Sequence, residues 1–167
     1  YNADSGKIYG AETEFLQTLE FLGDDKSWWQ YFFVSANLTL SESQIKISPS
    51  GEIDPTNTSR RMTGHSPWVT NLQLSFDSPD ANHSATLVYN VFGKRIAYGG
   101  RGGLDDVYEQ PFHSLDFSYN FFPTKDLSVK LKVKNMLGEA NQYQQQGQRV
   151  YDYDPGSQVG LQLSYQF

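Results

Sequence analysis

The chain has 167 residues, no cysteine, 15% aromatic and 38% hydrophobic side chains, a formal net charge of -6 and a mean hydropathy of -0.57. No window approaches the ~18 to 20 consecutive apolar residues of a spanning helix, which excludes a helical membrane protein, and the acidic balance argues against a nucleic-acid partner. Low average hydropathy does not exclude a membrane β-barrel, because lumen residues cancel lipid-facing ones in any mean.

Read in chain order, the sequence predicts strands and turns and no helix. Successive side chains of a strand point to opposite faces, so period-two alternation is the signal. The first extended stretch, about Lys7 to Phe21, carries Phe15, Leu19 and Phe21 on one face with Gln17 as the exception, and Glu12, Glu14, Thr18 and Glu20 on the other. The turn Gly23-Asp24-Asp25-Lys26-Ser27 follows. The second stretch, Trp29 to about Ile47, sets Phe32, Val34, Ala36, Leu38 and Leu40 against Tyr31, Ser35, Asn37, Thr39 and Ser41. After the polar segment Ser48 to Ser66, a third runs from Trp68 to Phe76, with Leu72, Leu74 and Phe76 opposed to Asn71, Gln73 and Ser75.

The fourth strand returns after Asp77-Ser78-Pro79-Asp80-Ala81-Asn82 as Ala85, Leu87, Tyr89 and Val91. A glycine-rich loop, Gly99 to Pro111, leads to the fifth, Leu115, Phe117, Tyr119 and Phe121 against Asp116, Ser118 and Asn120. Past the turn Pro123-Thr124-Lys125-Asp126, the sixth sets Leu127, Val129, Leu131 and Val133 against Ser128, Lys130, Lys132 and Lys134. A loop of about Gln142 to Gly156 feeds the last strand, where Val159, Leu161, Leu163, Tyr165 and Phe167 alternate with Gln158, Gly160, Gln162, Ser164 and Gln166.

The connections after the second to sixth strands alternate, at roughly 20, 6, 13, 5 and 15 residues. Long loops therefore gather at one end of the sheet and short turns at the other, the asymmetry of outer-membrane barrels. One face is Leu, Val, Phe and Tyr and the other Gln, Ser, Asn and Lys, which a water-filled lumen accommodates without the cost of burying unpaired polar groups. Trp28, Trp29, Trp68, Phe121, Phe122 and Phe167 near the strand ends suit interfacial aromatic belts. The expected fold is all-β, a transmembrane antiparallel barrel. Seven strands leave two edges open in lipid, so residues 1–167 are expected to form part of a larger barrel.

Short segments then carry a resemblance. Tyr9-Gly10-Ala11-Glu12-Thr13-Glu14, Arg60-Arg61-Met62-Thr63-Gly64-His65-Ser66-Pro67, Val133-Lys134-Asn135-Met136-Leu137 and Pro155-Gly156 resemble, in the same order, stretches from the late strands of TonB-dependent outer-membrane transporters. Ser157 stands where that family often has arginine, and Gln162 where its last strand often has glycine. The resemblance implies the C-terminal seven strands of a 22-stranded barrel, with plug domain and earlier strands lying outside this sequence. It implies a bacterial outer-membrane location and uptake of a scarce solute, such as a metal chelate (a siderophore), cobalamin, an oligosaccharide or a peptide. The implied partners are lipid and lipopolysaccharide, the barrel-assembly machinery, the protein's own plug and the TonB complex. The terminal Leu163, Tyr165 and Phe167 resemble a barrel-assembly signal. Two rival readings are a passive porin, which lacks a plug, and a soluble carbohydrate-binding β-sandwich.

No catalytic constellation emerges, so neither enzyme activity nor a cofactor is expected. His65, His83 and His113 lack the short paired spacing of zinc sites and read as structural or solvent-facing. Asp105, Asp106 and Glu109, or Asp152 and Asp154, lack the full spacing of a calcium loop. Gly99 to Gly103 has no following Lys-Ser/Thr and helix, and reads as a flexible hairpin tip rather than a phosphate cradle. The row Lys130, Lys132, Lys134 calls for compensating charge, and the turn after Phe121 is expected to set Asp116 opposite Lys132. Arg60, Arg61, Arg101, Arg149, Tyr143, Tyr151 and Tyr153, in the outer loops, are candidates for contact with solute or lipopolysaccharide.

Overall fold

The computed structural model describes residues 3–24, 27–49 and 54–167; the turn residues Asp25 and Lys26, and 50–53 of the long segment after the second strand, lie outside the described residues. The chain is all-β. Its elements are β1 (Ser5–Thr18), β2 (Phe32–Lys46), β3 (Ser59–Arg60), β4 (Trp68–Asp77), β5 (His83–Phe92), β6 (Arg95–Tyr98), β7 (Val107–Glu109), β8 (Phe112–Phe121), β9 (Leu127–Lys134), β10 (Asn141–Gln145), β11 (Gln148–Tyr153) and β12 (Gln158–Tyr165). Two 3-10 turns, Glu20–Leu22 and Trp28–Tyr31, join β1 to β2. They shorten both strands relative to the alternation, so that β1 ends at Thr18, leaving Leu19 and Phe21 outside it, and β2 begins at Phe32 rather than Trp29.

The main sheet is an antiparallel meander in the order β1-β2-β4-β5-β8-β9-β12, with β3 added to the far end of β2. Its register aligns the predicted faces across strands. One row reads Val34, Leu74, Leu87, Phe117, Val133, Val159, and the next Phe32, Phe76, Ala85, Tyr119, Leu131, Leu161. On the opposite face Asn37, Asn71, Asn90 and Ser114 stand side by side, as do Ser84, Asn120, Lys130 and Gln162. Because a one-residue slip would interchange the faces, this alignment fixes strand pairing to within steps of two.

Among the described residues nothing packs over either face. Among the described residues the buried aliphatic and aromatic side chains are Ile47, Val91 and Ile96, all near the long-loop end, while Leu161 in the last strand is 75% exposed. A soluble domain of this size would remove most of these side chains from water at about 1.5–3 kcal/mol each. The sheet is therefore a single layer with an uncovered apolar face, and β1 and β12 are its edges.

The short connections, β1 to β2, β4 to β5 and β8 to β9, lie at one end. Aromatic rings gather there. Phe32 meets Trp28 edge-on at 5.4 Å and Phe76 at 4.9 Å; His83 stacks on Phe121 at 4.8 Å; Tyr165 meets Phe167 edge-on at 5.1 Å. At the other end the loops expected at Gly99 to Pro111 and Gln142 to Gly156 are structured hairpins. β6–β7 and β10–β11 pair through β7 and β10 into a second sheet, β11-β10-β7-β6.

Candidate functional site

The long-loop end holds most of the charged side chains that the sequence singles out, and its geometry begins with the segment between β2 and β4. Ser43, 2% exposed, accepts from the Met62 amide at 3.1 Å and faces His65 Nδ1 at 2.7 Å, while Ser41 faces His65 Nε2 at 2.8 Å. His65 thus clamps the chain between β3 and β4 to β2. Gly64, at φ +77°, donates its amide to the Ile96 carbonyl at 2.7 Å, which ties the same turn to β6. Residues 60–67, which carry part of the family resemblance, therefore make a structural joint.

The tip of the β6–β7 hairpin is pinned rather than flexible. The Thr56 amide donates to the Gly100 carbonyl at 3.1 Å, the Gly102 amide to the Asp54 carbonyl at 3.2 Å, and Pro55 forms a bridge with Arg101. Asp106 is 1% exposed and accepts from the Gly100 amide at 2.7 Å and Asn57 Nδ2 at 3.1 Å. Asp105 accepts from Asn57 Nδ2 at 3.2 Å and the Asp106 amide at 2.8 Å, and its carbonyl takes Gln145 Nε2 at 2.7 Å. Glu109 turns away to Arg95 at 2.7 Å. The three carboxylates do not converge, and no metal-holding cluster occurs among the described residues.

Between β3 and the β6–β7 hairpin lies a cavity of about 750 Å³, lined by Arg60, Arg61, Lys94, Asp105, Tyr108 and Trp68 among others. Arg61 forks onto Glu42 at 3.0 and 2.6 Å, Arg60 donates to Thr63 Oγ1 at 2.9 Å, and Lys94 Nζ sits 4.2 Å above the Tyr108 ring. Burial, and then the charges of Asp106 and Asp105, push the Tyr108 phenol up from its ordinary 10.0, with Arg60 and Arg61 opposing them. The arrangement can hold anionic groups by charge-assisted hydrogen bonds.

The second sheet carries an aromatic row. Tyr143 and Tyr151 stack at 4.2 Å and 9°, and the Tyr151 hydroxyl donates to Tyr98 at 3.3 Å. Tyr143 is raised by burial and the Glu109 charge, and Tyr151 by burial and its tyrosine neighbours. In register this row continues through Glu109 to Arg95, whose guanidinium lies 3.9 Å from the Phe92 ring.

Of the sequence candidates, Arg60 and Arg61 come together at the cavity, whereas Arg101 sits at the hairpin tip. Arg149 pairs with Asp152 on β11 beside Tyr151, and Tyr153 lies exposed opposite Asn141. Lys130, Lys132 and Lys134 are exposed on the polar face. The expected pairing of Asp116 with Lys132 is corrected by the register: Ser118 stands opposite Lys132, and Asp116 accepts from the Asn135 amide at 3.0 Å and Ser114 Oγ at 2.9 Å. Leu163 and Tyr165 lie on the apolar face of the β12 edge, opposite Val129 and Leu127, with Phe167 against Tyr165.

Glu42, Lys94, Arg95 and Tyr108 escaped the sequence reading. The same-parity change along β2 from Leu40 to Glu42 was the one signal pointing to this region. Comparison of the chain with family models, with curated proteins and with solved structures finds no match. The chain forms an antiparallel, single-layer β-sheet whose polar connections build a second sheet at one end.

Proposed function

We propose that this chain forms part of the wall and outer loops of an outer-membrane β-barrel that imports a scarce solute with energy delivered from the inner membrane, as in the transporters that its segments resemble. The observation that carries the membrane reading is the uncovered apolar face, aligned in register across six strands, β2, β4, β5, β8, β9 and β12, and bounded by aromatic rings. From Phe32 to Leu40 that face spans nine residues, the length a tilted strand needs to cross the hydrocarbon. In lipid the face needs no protein cover, while the polar face lines water. The open edges of β1 and β12 are satisfied by neighbouring strands of the complete barrel, since unpaired backbone groups in hydrocarbon cost several kcal/mol each. In this reading the chain performs no chemistry.

Fractionation of cells expressing the complete gene tests the proposal. The expected product appears in the outer membrane, resists carbonate extraction and runs as a compact species on gels until boiled. Recovery as a buffer-soluble monomer refutes it. Loss of solute uptake on deleting the inner-membrane energising complex separates an active transporter from a passive porin, whose flux is unchanged.

A further inference from the structure

His65 engages both of its ring nitrogens, and the groups at the two ends of its hydrogen-bond chain fix the direction of every proton. The Met62 amide can only donate, so Ser43 Oγ accepts from it at 3.1 Å and turns its own proton to His65 Nδ1 at 2.7 Å. The Ser66 carbonyl can only accept, so Ser41 Oγ donates to it at 3.4 Å and takes the His65 Nε2 proton at 2.8 Å. The closed joint therefore holds a neutral imidazole with its proton on Nε2.

A second ring proton breaks this chain. It places an N–H at Nδ1 against Ser43 Oγ, which the Met62 amide already faces. The Ser43 hydroxyl proton must then turn away, yet Ser43 is 2% exposed and has no further hydrogen-bond partner among the described residues. A buried donor without an acceptor carries its full desolvation cost.

The surrounding charges do not offset that loss. On β1, Ile8 and Gly10 stand opposite Ser43 and Ser41, while Lys7 and Tyr9 lie on the other face. On β2, Glu42 also points to that other face, where Arg61 takes it. The turn itself brings Arg60 and Arg61, and Lys94 and Arg95 stand at the start of β6. On the β6–β7 hairpin, Asp105 and Asp106 are held by Asn57 and backbone amides, Glu109 by Arg95, and Tyr108 lies under Lys94. Among the described residues no carboxylate comes within 4.0 Å of the imidazole.

The same turn couples the two sheets. Its Met62 amide reaches Ser43 on β2, its Gly64 amide reaches the Ile96 carbonyl on β6 at 2.7 Å, and Arg60 and Arg61 on it form one wall of the basic cavity. We infer that His65 is a proton-sensitive latch between the main sheet and the second sheet. Neutral, it locks residues 61–66 onto β2 and keeps the cavity wall in place; protonated, it releases that turn and with it the tie to β6. The inference is independent of the membrane reading. The open joint binds the proton that the closed joint excludes, so the latch is fully engaged above the ordinary imidazole range of ~6.5. Its closing equilibrium weakens by up to about tenfold for each pH unit below that range.

Hydrogen exchange of the complete protein, followed peptide by peptide and corrected for the intrinsic rate, tests the latch. Between about pH 7.5 and about pH 5, exchange in residues 60–67 is expected to accelerate by about tenfold or more while β4 and β5 keep their protection. His65→Gln carries no titrating ring and should make exchange in 60–67 equal at the two pH values. His113→Gln, whose ring contacts Tyr89 instead, should keep the wild-type response. A flat wild-type profile overturns the inference without recourse to any variant. So does a response that persists in His65→Gln, one that disappears in His113→Gln, or one that spreads equally through β4 and β5.

Discussion

Leu72 is the most informative position at which to test whether the apolar face meets lipid. It lies four residues from both Trp68 and Phe76 on β4, roughly 13 Å from each at ~3.3 Å per residue, and between Ala36 and Tyr89. Leu72→Arg places a guanidinium at the middle of the apolar band. For a lipid-facing barrel position this costs about 2–4 kcal/mol at the midplane and about 0–1 near the interfaces. At 1.4 kcal/mol per decade the midplane cost is a ~30- to 700-fold shift in the folding equilibrium. Gln73→Arg, one residue away but on the polar face, is expected to cost less than about 1 kcal/mol. Urea unfolding of the complete barrel in lipid vesicles, followed by tryptophan emission, reads both, and Phe76→Arg supplies the shallow comparison. Equal costs at 72 and 76, or a larger cost at 73 than at 72, would refute the assignment of faces and with it the lipid contact.

Three further outcomes follow from the geometry. Asn71 links a ladder in which Asn37 Nδ2 donates to Glu12 at 2.6 Å, Asn71 Nδ2 donates to Asn37 at 3.3 Å, and Asn90 Nδ2 donates to Asn71. Asn71→Leu removes one donor and one acceptor at once, and denaturation midpoints should record a loss of about 1–3 kcal/mol; an unchanged midpoint means that water replaces the ladder freely. Asp106→Ala leaves the Gly100 amide and Asn57 without their acceptor, so hydrogen exchange at the β6–β7 tip should accelerate by about tenfold or more while exchange in β4 and β5 is unchanged. Tyr108 should titrate above 10.0 because burial and then Asp106 and Asp105 disfavour the phenolate. With a folded pKa above the unfolded one, its contribution to hairpin stability is fully present below pH 10.0 and is lost as pH rises through the folded value. Absorbance titration should also show Asp105→Asn lowering that pKa, and no response would remove the carboxylate from its causes.

The sequence by itself determined the strands of the main sheet and their two faces, since period-two alternation in Phe112–Phe121 or Gln158–Tyr165 admits one division into an apolar and a polar side. It also placed the short turns and long connections at opposite ends, because an antiparallel meander alternates them. Register was legible only modulo two. A two-residue slip keeps every side chain on its face, so the pattern alone could not separate Asp116 opposite Lys132 from the observed Ser118 opposite Lys132; the turn between Phe121 and Leu127 decides. The second sheet was not legible at all. Arg95–Tyr98 and Asn141–Gln145 lack clean alternation, and they are strands because β7 and β10 find one another across the ends of β8 and β9. The basic cavity likewise needed tertiary structure. Arg61 and Glu42 are distant in sequence, Arg60 and Lys94 more so, and only the His65 clamp and the pinned β6–β7 tip bring them to one face beside Trp68. Local pattern sets which way a side chain points, while a site built from three connections depends on contacts whose partners are named only once the chain has folded.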